Sequence, residues 1–493
     1  MNDELTTRKS IKRNYIYNLS YQILLLITPL ITTPYISRVL GADGIGSVSY
    51  AESIVSYFSL FATMGITTYG QREVSYVQDS RENRSVIFWN STLLKFITSF
   101  SVLLIYLMFS SFQDNHIIYY VLCCNIVAIA FDITWFFQGL EEFGKIVFRN
   151  VIFKVASIIY IFIMVKHKED LILYIIGLTL FALLSNLSLW AYLPRYIEKP
   201  YWKLLHPFKD FNIVLSLFVP TIAIQIYTVI DKTMIGLITK DSFENGYYEQ
   251  ALKVLRTVLT VVTSLGTVMI PRIGYYFKNG ENNIVQTLMY RGYRFVWFLG
   301  IPLCFGLFVI SDNFVPWFFG TGYEKVSLLL KILSFLILAI GINNVTGIQY
   351  LIPTMRQNLF TLTVIIGAVT NFCLNFILIY FFQSIGAAIA SVVAESIIAI
   401  TQLIFTRNEL SPKYIVLEGK NYFIAGITMM AVLKLLDCIF ASRLISTVIM
   451  MFSGAVTYFV ILVILRDTFF ISSVQNVLEK VLKVNWQKYF NRE

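Results

Sequence analysis

Apolar stretches of ~18–25 residues, each long enough to cross a bilayer as one helix, succeed one another along almost the whole chain. They fall at 14–36, 47–69, 87–110, 117–139, 149–165, 171–193, 212–238, 247–271, 292–311, 326–350, 359–382, 386–406, 421–441 and 444–465. The pattern predicts an all-α polytopic membrane protein with about fourteen transmembrane helices. Four spans carry polar stripes. The eighth bears Glu249, Lys253 and Arg256 at i, i+4 and i+7, hence on one helical face. Thr260, Thr263 and Thr267 continue that face, while Leu252, Leu255, Leu259 and Val262 lie opposite. Each charge turned to lipid would cost at least ~2.5–3.5 kcal/mol, so the stripe predicts a face turned to water. Span two carries Ser49, Glu52, Ser53, Ser56, Ser59 and Thr63, and span seven Thr221, Gln225, Thr228, Asp231 and Lys232. Span one offers Asn14, Asn18, Gln22, Pro29 and Thr32, whereas spans five, six, nine and fourteen are nearly uniformly apolar. Spans one, two, seven and eight are therefore expected to line a hydrated cavity between two halves. Helix-to-helix packing of small residues accounts for the serines of span two, but not for Glu52, Asp231 or Arg256.

The halves are marked by Pro194 to Phe211, the longest polar break before the tail. Expected domains are a six-helix bundle at 1–205, a second at 206–410, a final helix pair at 411–466 and a cytoplasmic tail at 467–493. The bundles echo each other weakly. Pro29 amid threonines answers Pro220-Thr221, and Gln138-Gly139-Leu140 answers Gln349-Tyr350-Leu351; chance also yields echoes of this strength. Repeated halves around a central site are a common construction of secondary transporters.

Composition agrees, with 57% hydrophobic and 14% charged residues, against roughly 25% charged in soluble domains, and a mean hydropathy of +0.69. With both ends inside, the inner segments hold about 26 Lys and Arg residues and the outer ones about six, which predicts cytoplasmic termini. The net charge of +10 is what basic inner loops beside an anionic leaflet demand, and it needs no nucleic-acid partner. Arg8, Lys9, Lys12 and Arg13 read as a cytoplasmic lead into a retained first helix, not a cleavable signal. Cys123, Cys124, Cys304, Cys373 and Cys438 lie in apolar spans and read as small buried hydrophobes. His116, His167 and His206 stand alone in loops, so no metal site is expected. Neither a phosphate loop, a nucleophile elbow nor a catalytic carboxylate pair is visible. The reading is not an enzyme, and without cofactors.

Other charges at membrane depth read more plainly. Lys95, Lys154 and Lys331 are expected to snorkel or pair structurally. Asp132 precedes Trp135-Phe136-Phe137 near the inner surface, and Glu395 follows a small-residue run suited to close packing. Lys434 and Asp437, at i and i+3, suggest an intrahelical ion pair. Val474 to Phe490 reads as a basic amphipathic helix lying on the membrane surface.

Several stretches resemble one family. Pro34-Tyr35-Ile36-Ser37-Arg38-Val39-Leu40-Gly41, followed by Gly44-Ile45-Gly46, is similar to the first-loop signature of Wzx-type polysaccharide repeat-unit flippases. These belong to the multidrug/oligosaccharidyl-lipid/polysaccharide exporter superfamily. Trp135-Phe136-Phe137-Gln138-Gly139-Leu140-Glu141 with Arg149-Asn150 resembles the end of their fourth helix. Gly367-Ala368-Val369, Asn371, Leu374-Asn375 and Gly386-Ala387-Ala388-Ile389-Ala390 resemble the eleventh and twelfth. The last two helices match no motif. The resemblance implies alternating access in a bacterial plasma membrane. Its cargo would be an undecaprenyl-pyrophosphate-linked oligosaccharide, moved from inner to outer leaflet for capsule, O-antigen or similar polysaccharide. A pyrophosphate is suited to Arg and Lys. The candidate substrate-binding set is accordingly Arg256, Lys253, Lys232, Arg38, Gln225 and Asn18. Glu52, Asp231 and Glu249 would balance these cations or couple to a proton or sodium ion. The lipid bilayer, a polysaccharide polymerase and assembly proteins are the further partners the resemblance implies. A drug or cation exporter of the same superfamily would want acidic residues to dominate the cavity, and here basic residues at least match them. A membrane-embedded polymerase would want a long outer loop with catalytic residues, and the loops are short.

Overall fold

The computed structural model describes residues 2–472 except 202, 204 and 265, and it describes side chains from 24 onward apart from 25, 220, 223, 224, 226, 267 and 268. The side chains of Asn14, Asn18, Gln22 and Thr267, and the helix expected at 474–490, lie outside the described residues. Helix accounts for 85%, with no strand among the described residues. Ten helices are long and apolar enough to cross a membrane, and they coincide with expected spans three to six and nine to fourteen. The four remaining expected spans are those with polar stripes. Contacts divide the chain into two compact units, Met1–Gln250 with Ile379–Ser384, and Ala251–Leu378 with Ile385–Glu493.

In the first unit α1 (Asn2–Thr63) contains the first expected span and the second as far as Thr63, with no loop between them. A straight helix of that length would run ~93 Å, about three times the hydrocarbon thickness. The break comes at Gly41, with φ 70° and ψ 173°, a conformation that side chains exclude. The unit continues through α2 (Ile66–Tyr76), α3 (Arg81–Ser110), α4 (His116–Ala130), α5 (Thr134–Gly139) and α6 (Phe143–Met164). It ends with α7 (Leu171–Ser188), α8 (Phe211–Thr239) and the start of α9 (Ser242–Thr263). Leu40, Tyr106, Ile126, Val165 and Ile175 form a fully buried core where α1, α3, α4, α6 and α7 meet.

The expected fourth span is interrupted between α4 and α5. Backbone groups freed at such a break are costly in a bilayer unless other partners reach them. Trp190 Nε1 donates to the Phe131 carbonyl at 2.8 Å, and Lys95 Nζ to that of Asp132 at 2.7 Å. The Asp132 carboxylate accepts from the Thr134 N–H at 2.9 Å. Buried Lys95 therefore clamps the interruption. Beyond it Trp135, Phe136 and Phe137 bury themselves with Phe88. Buried Arg149 ties α6 to its neighbours, donating to the Ser185 carbonyl at 3.0 Å and to Thr134 Oγ1 at 3.1 Å.

The second unit takes up the rest of α9 and then α10 (Gly266–Lys278), so the single expected span at 247–271 is two helices. Its spine is α11 (Asn282–Phe319), followed by α12 (Glu324–Leu333), α13 (Leu336–Asn343) and a π-helical stretch at Asn344–Leu351. Then come α14 (Gln357–Phe382), α15 (Ser384–Phe405), α16 (Pro412–Glu418), α17 (Lys420–Ile439) and α18 (Leu444–Ile464). Within this unit α11 packs on α12, α13, α16, α17 and α18. Gly367 brings α14 against α15: a Cβ there would sit 2.3 Å from Ile398, and Ala387, Ala388, Ala390 and Ala394 are fully buried. Lys331 pairs with Asp312 at 2.5 Å. Lys434 and Asp437, by contrast, form no ion pair with each other among the described residues. Asp437 instead lies in the field of Asp312 and Lys331, so interhelical neighbours override the i, i+3 spacing.

A loop pair outside the apolar helices closes this unit. Arg356 Nη1 donates to both oxygens of Glu409, at 2.8 and 2.7 Å, and the Tyr350 hydroxyl also binds that carboxylate. Burial pushes the Glu409 carboxyl up, but these hydrogen bonds outweigh it and hold the group below its ordinary value. A depressed carboxyl stabilises the fold above the ordinary value, ~4.3, and stops doing so as pH falls through the folded one. Glu409→Gln is expected to lower the melting temperature at pH 7 by only ~1–2 °C, because the carboxylate is half-exposed and screened. The difference from wild type should vanish as the carboxyl protonates in acid; identical melting at pH 7 would refute the contribution.

Candidate functional site

The polar stripes of α1, α8 and α9 meet within the first unit because glycine lets backbones touch. A Cβ on Gly46 of α1 would lie 1.6 Å from the Ser242 carbonyl oxygen, and one on Gly246 of α9 2.0 Å from that of Ala42. A Cβ on Gly236 of α8 would strike the Tyr50 ring at 2.2 Å. Buried Asn245 locks α9 to α8 in the amide orientation that satisfies both its ends, donating to the Lys232 carbonyl at 2.9 Å and accepting from the Gly236 N–H at 3.0 Å.

This packing encloses a charged cluster. Lys232 and Glu249 form an ion pair, with side chains only 13% and 10% exposed. Ser49 donates to Glu249 Oε2 at 3.3 Å. The Tyr248 hydroxyl donates to Asp231 Oδ2 at 2.6 Å. Thr233 bonds Ser53 at 3.0 Å and Tyr57 at 3.1 Å, and Gln250 donates to Ser37 Oγ at 2.9 Å. Glu52 is partly buried nearby, close enough with Glu249 to act electrostatically on buried Tyr174 of α7. Tyr174 escapes a sequence reading because its helix is almost wholly apolar. Tyr248 and Asn245 escape it because only the α8–α9 crossing gives them partners.

The other candidates stand elsewhere. Arg38 is exposed on α1. Gln225 is half-buried beside a polar cleft of about 260 Å³, with Ser56, Ser59, Thr63 and Thr221. Lys253, half-buried, and Arg256, exposed, continue the Glu249 face of α9 into the second unit. Arg256 forms no ion pair among the described residues. The hydroxyl stripe is more self-contained than its spacing suggests. Thr260 and Thr263 donate to the carbonyls of Arg256 and Leu259 four residues back, as Ser56 and Thr63 do to Glu52 and Ser59. No three His, Cys, Asp or Glu side chains converge among the described residues. Chemically, the Lys232 ammonium is already neutralised by Glu249, whereas Arg256 offers an anion its full charge and a planar fork of donors.

Comparison with known proteins places this geometry in context. The chain is 23% identical over 410 residues to a protein of Escherichia coli (strain K12) provisionally named an O-antigen transporter, covering 82% of this chain and 98% of that one. A provisionally named low-salt glycan biosynthesis flippase of Haloferax volcanii is 23% identical over 188 residues, 38% of this chain and 39% of that one. Among solved structures, the lipid II flippase MurJ in an inward closed conformation superposes with a TM-score of 0.74 at 18% identity, over 92% of this chain and all of that one. An inward-facing multidrug resistance transporter of the MATE family, itself of the MOP superfamily, gives 0.59 at 12% identity, over 80% of this chain and 99% of that one. Those two likenesses establish the shared all-helical fold. Residues 11–277, more than half the chain, match the model of polysaccharide biosynthesis proteins, and they include both the Pro34–Gly46 and the Trp135–Glu141 signatures. The resemblance in those signatures is borne out: this multi-pass membrane chain belongs to the polysaccharide biosynthesis protein family.

Proposed function

We propose that the chain is a flippase of the bacterial inner membrane that carries lipid-linked oligosaccharide from the inner to the outer leaflet. Its cargo is an undecaprenyl-pyrophosphate-linked repeat unit of a surface polysaccharide. Arg256 carries this reading: an exposed guanidinium, outside any ion pair among the described residues, on a membrane-depth helix of a chain that spans 98% of a relative named for O-antigen transport. A pyrophosphate is the cargo group that most needs such a cation at membrane depth. The names of the relatives support transport rather than catalysis. Fourteen spans with both ends in the cytoplasm follow if α1 crosses twice and α8 and α9–α10 once each, added to the ten apolar helices. Sequence halves 1–205 and 206–410 would be the moving parts of alternating access, with 411–466 an appended pair. Lys253 and Arg256 recognise the pyrophosphate, with Arg38, Lys232, Gln225 and Asn18 as further contacts. Glu52, Asp231 and Glu249 balance charge or bind a coupling proton or sodium ion.

Arg256→Ala and Lys253→Ala are each expected to cut surface polysaccharide ~10-fold or more, the loss of one charge-assisted hydrogen bond or ion contact. Protein abundance should stay normal, and lipid-linked oligosaccharide should accumulate inside. Unchanged export in both variants would overturn cation recognition.

A further inference from the structure

A second polar cleft, of about 650 Å³, opens in the first unit beside the start of α9, and none of Glu249, Lys253 and Arg256 is in its lining. Its walls come from the Gly41 break of α1, the α3–α4 turn, the start of α7 and the α8–α9 turn. In the topology proposed above, all four are extracytoplasmic.

The lining has a particular chemistry. Gln113, Asp114 and Asn115 stand in succession on the α3–α4 turn, and among the described residues no hydrogen bond engages their side chains. Between them they offer one carboxylate and two amides, four acceptor oxygens and two donor groups within one short turn. Half-buried Tyr50 lines the same cleft, an amphipathic ring that combines an apolar face with a hydroxyl, and Tyr119, only 4% exposed, borders it from the core. The Tyr50 ring is held in place against Gly236. Charge argues against a phosphate ligand here. Lys168 is taken by Asp43 at 3.7 Å, and Asp114 and Asp241 outnumber the remaining Lys240. Carboxylate, amide and aromatic groups with little net charge suit the hydroxyls and apolar ring faces of a sugar.

We propose that this cleft is a saccharide-binding site, holding the glycan of the cargo at the extracytoplasmic end of the first unit. The proposal rests on the flippase reading, which supplies the glycan and the orientation. It assigns the sugar and the pyrophosphate to different places: the sugar to Asp114, Asn115 and Tyr50, the anion to the α9 cations.

The test uses the full chain in nanodiscs and, as probe, the water-soluble oligosaccharide released by mild acid from the host's own lipid-linked pool. Saturation-transfer NMR on the probe should show binding to wild type. The double variant Asp114→Ala/Asn115→Ala, changed only at exposed positions, should weaken it ~10-fold or more, and Tyr50→Phe less. Inorganic pyrophosphate should not compete. No wild-type signal, an undiminished signal in the double variant, or displacement by pyrophosphate would each overturn the assignment. The flippase reading fails separately, if cells lacking the chain do not accumulate lipid-linked oligosaccharide on the inner leaflet.

Discussion

Glu249→Ala is expected to lower the melting temperature of the purified protein by ~6–12 °C and to reduce its abundance in the membrane. The ion pair it breaks is largely enclosed, with Lys232 13% and Glu249 10% exposed. Removing one partner of such a pair leaves a desolvated charge behind and costs about 3 kcal/mol, the lower end of the range since some solvent access remains. Ser49 loses its acceptor in the same step. The double variant Lys232→Met/Glu249→Leu removes both charges while keeping volume. Buried pairs replaced in this way are often neutral for stability, so it should regain most of the melting temperature. Export separates the two roles: a double variant that melts like wild type yet exports poorly assigns the charges to transport, and one that exports normally makes them structural. Wild-type melting of Glu249→Ala alone would remove the pair from the account of the fold. Scanning fluorimetry in detergent and a surface-polysaccharide assay read both arms.

The spans were legible because hydrophobicity is a one-dimensional signal, and most of the ten apolar helices begin and end within a few residues of their expected bounds, although α11 runs ten residues further at its start and eight at its end and two others start six residues early. Breaks in the helices were harder. The interruption between α4 and α5 depends on partners from α3 and the stretch after α7, Lys95 and Trp190, which no local pattern announces. The Gly41 break sits inside a recognised signature, yet the glycine alone does not say whether a loop or a kink follows. The site was legible as a set of helix faces and illegible as a set of pairs. Lys232 and Glu249 are seventeen positions apart, and only the α8–α9 register, locked by Asn245, aligns them. Spacing misled where another helix intervened, as at Lys434 and Asp437.

Gly46→Val is expected to do more damage than any single change of a charged residue. At Gly46 the backbone of α1 lies directly on that of α9: an added Cβ would stand 1.6 Å from the Ser242 carbonyl oxygen and 2.7 Å from the Gly246 nitrogen. Both obstacles are main chain, so no side-chain rotation relieves them. The helices must part, at a cost above the ~1–3 kcal/mol usual for overpacking. Parting them would also pull Ser49 from Glu249 and Ser53 from Thr233, since these contacts follow on the same stretch of α1. The polar cluster and the packing would therefore fail together, and the expected outcome is loss of most folded protein. Gly274→Ala is the control, because its Cβ would meet only Pro353 at 3.7 Å, an ordinary contact; alanine there should be neutral or slightly stabilising. Equal abundance and melting of the two variants would show that α1 and α9 can separate without consequence. A collapse confined to Gly46→Val would explain the Gly44-Ile45-Gly46 signature as a packing requirement that brings the charges of α8 and α9 to the hydroxyls of α1.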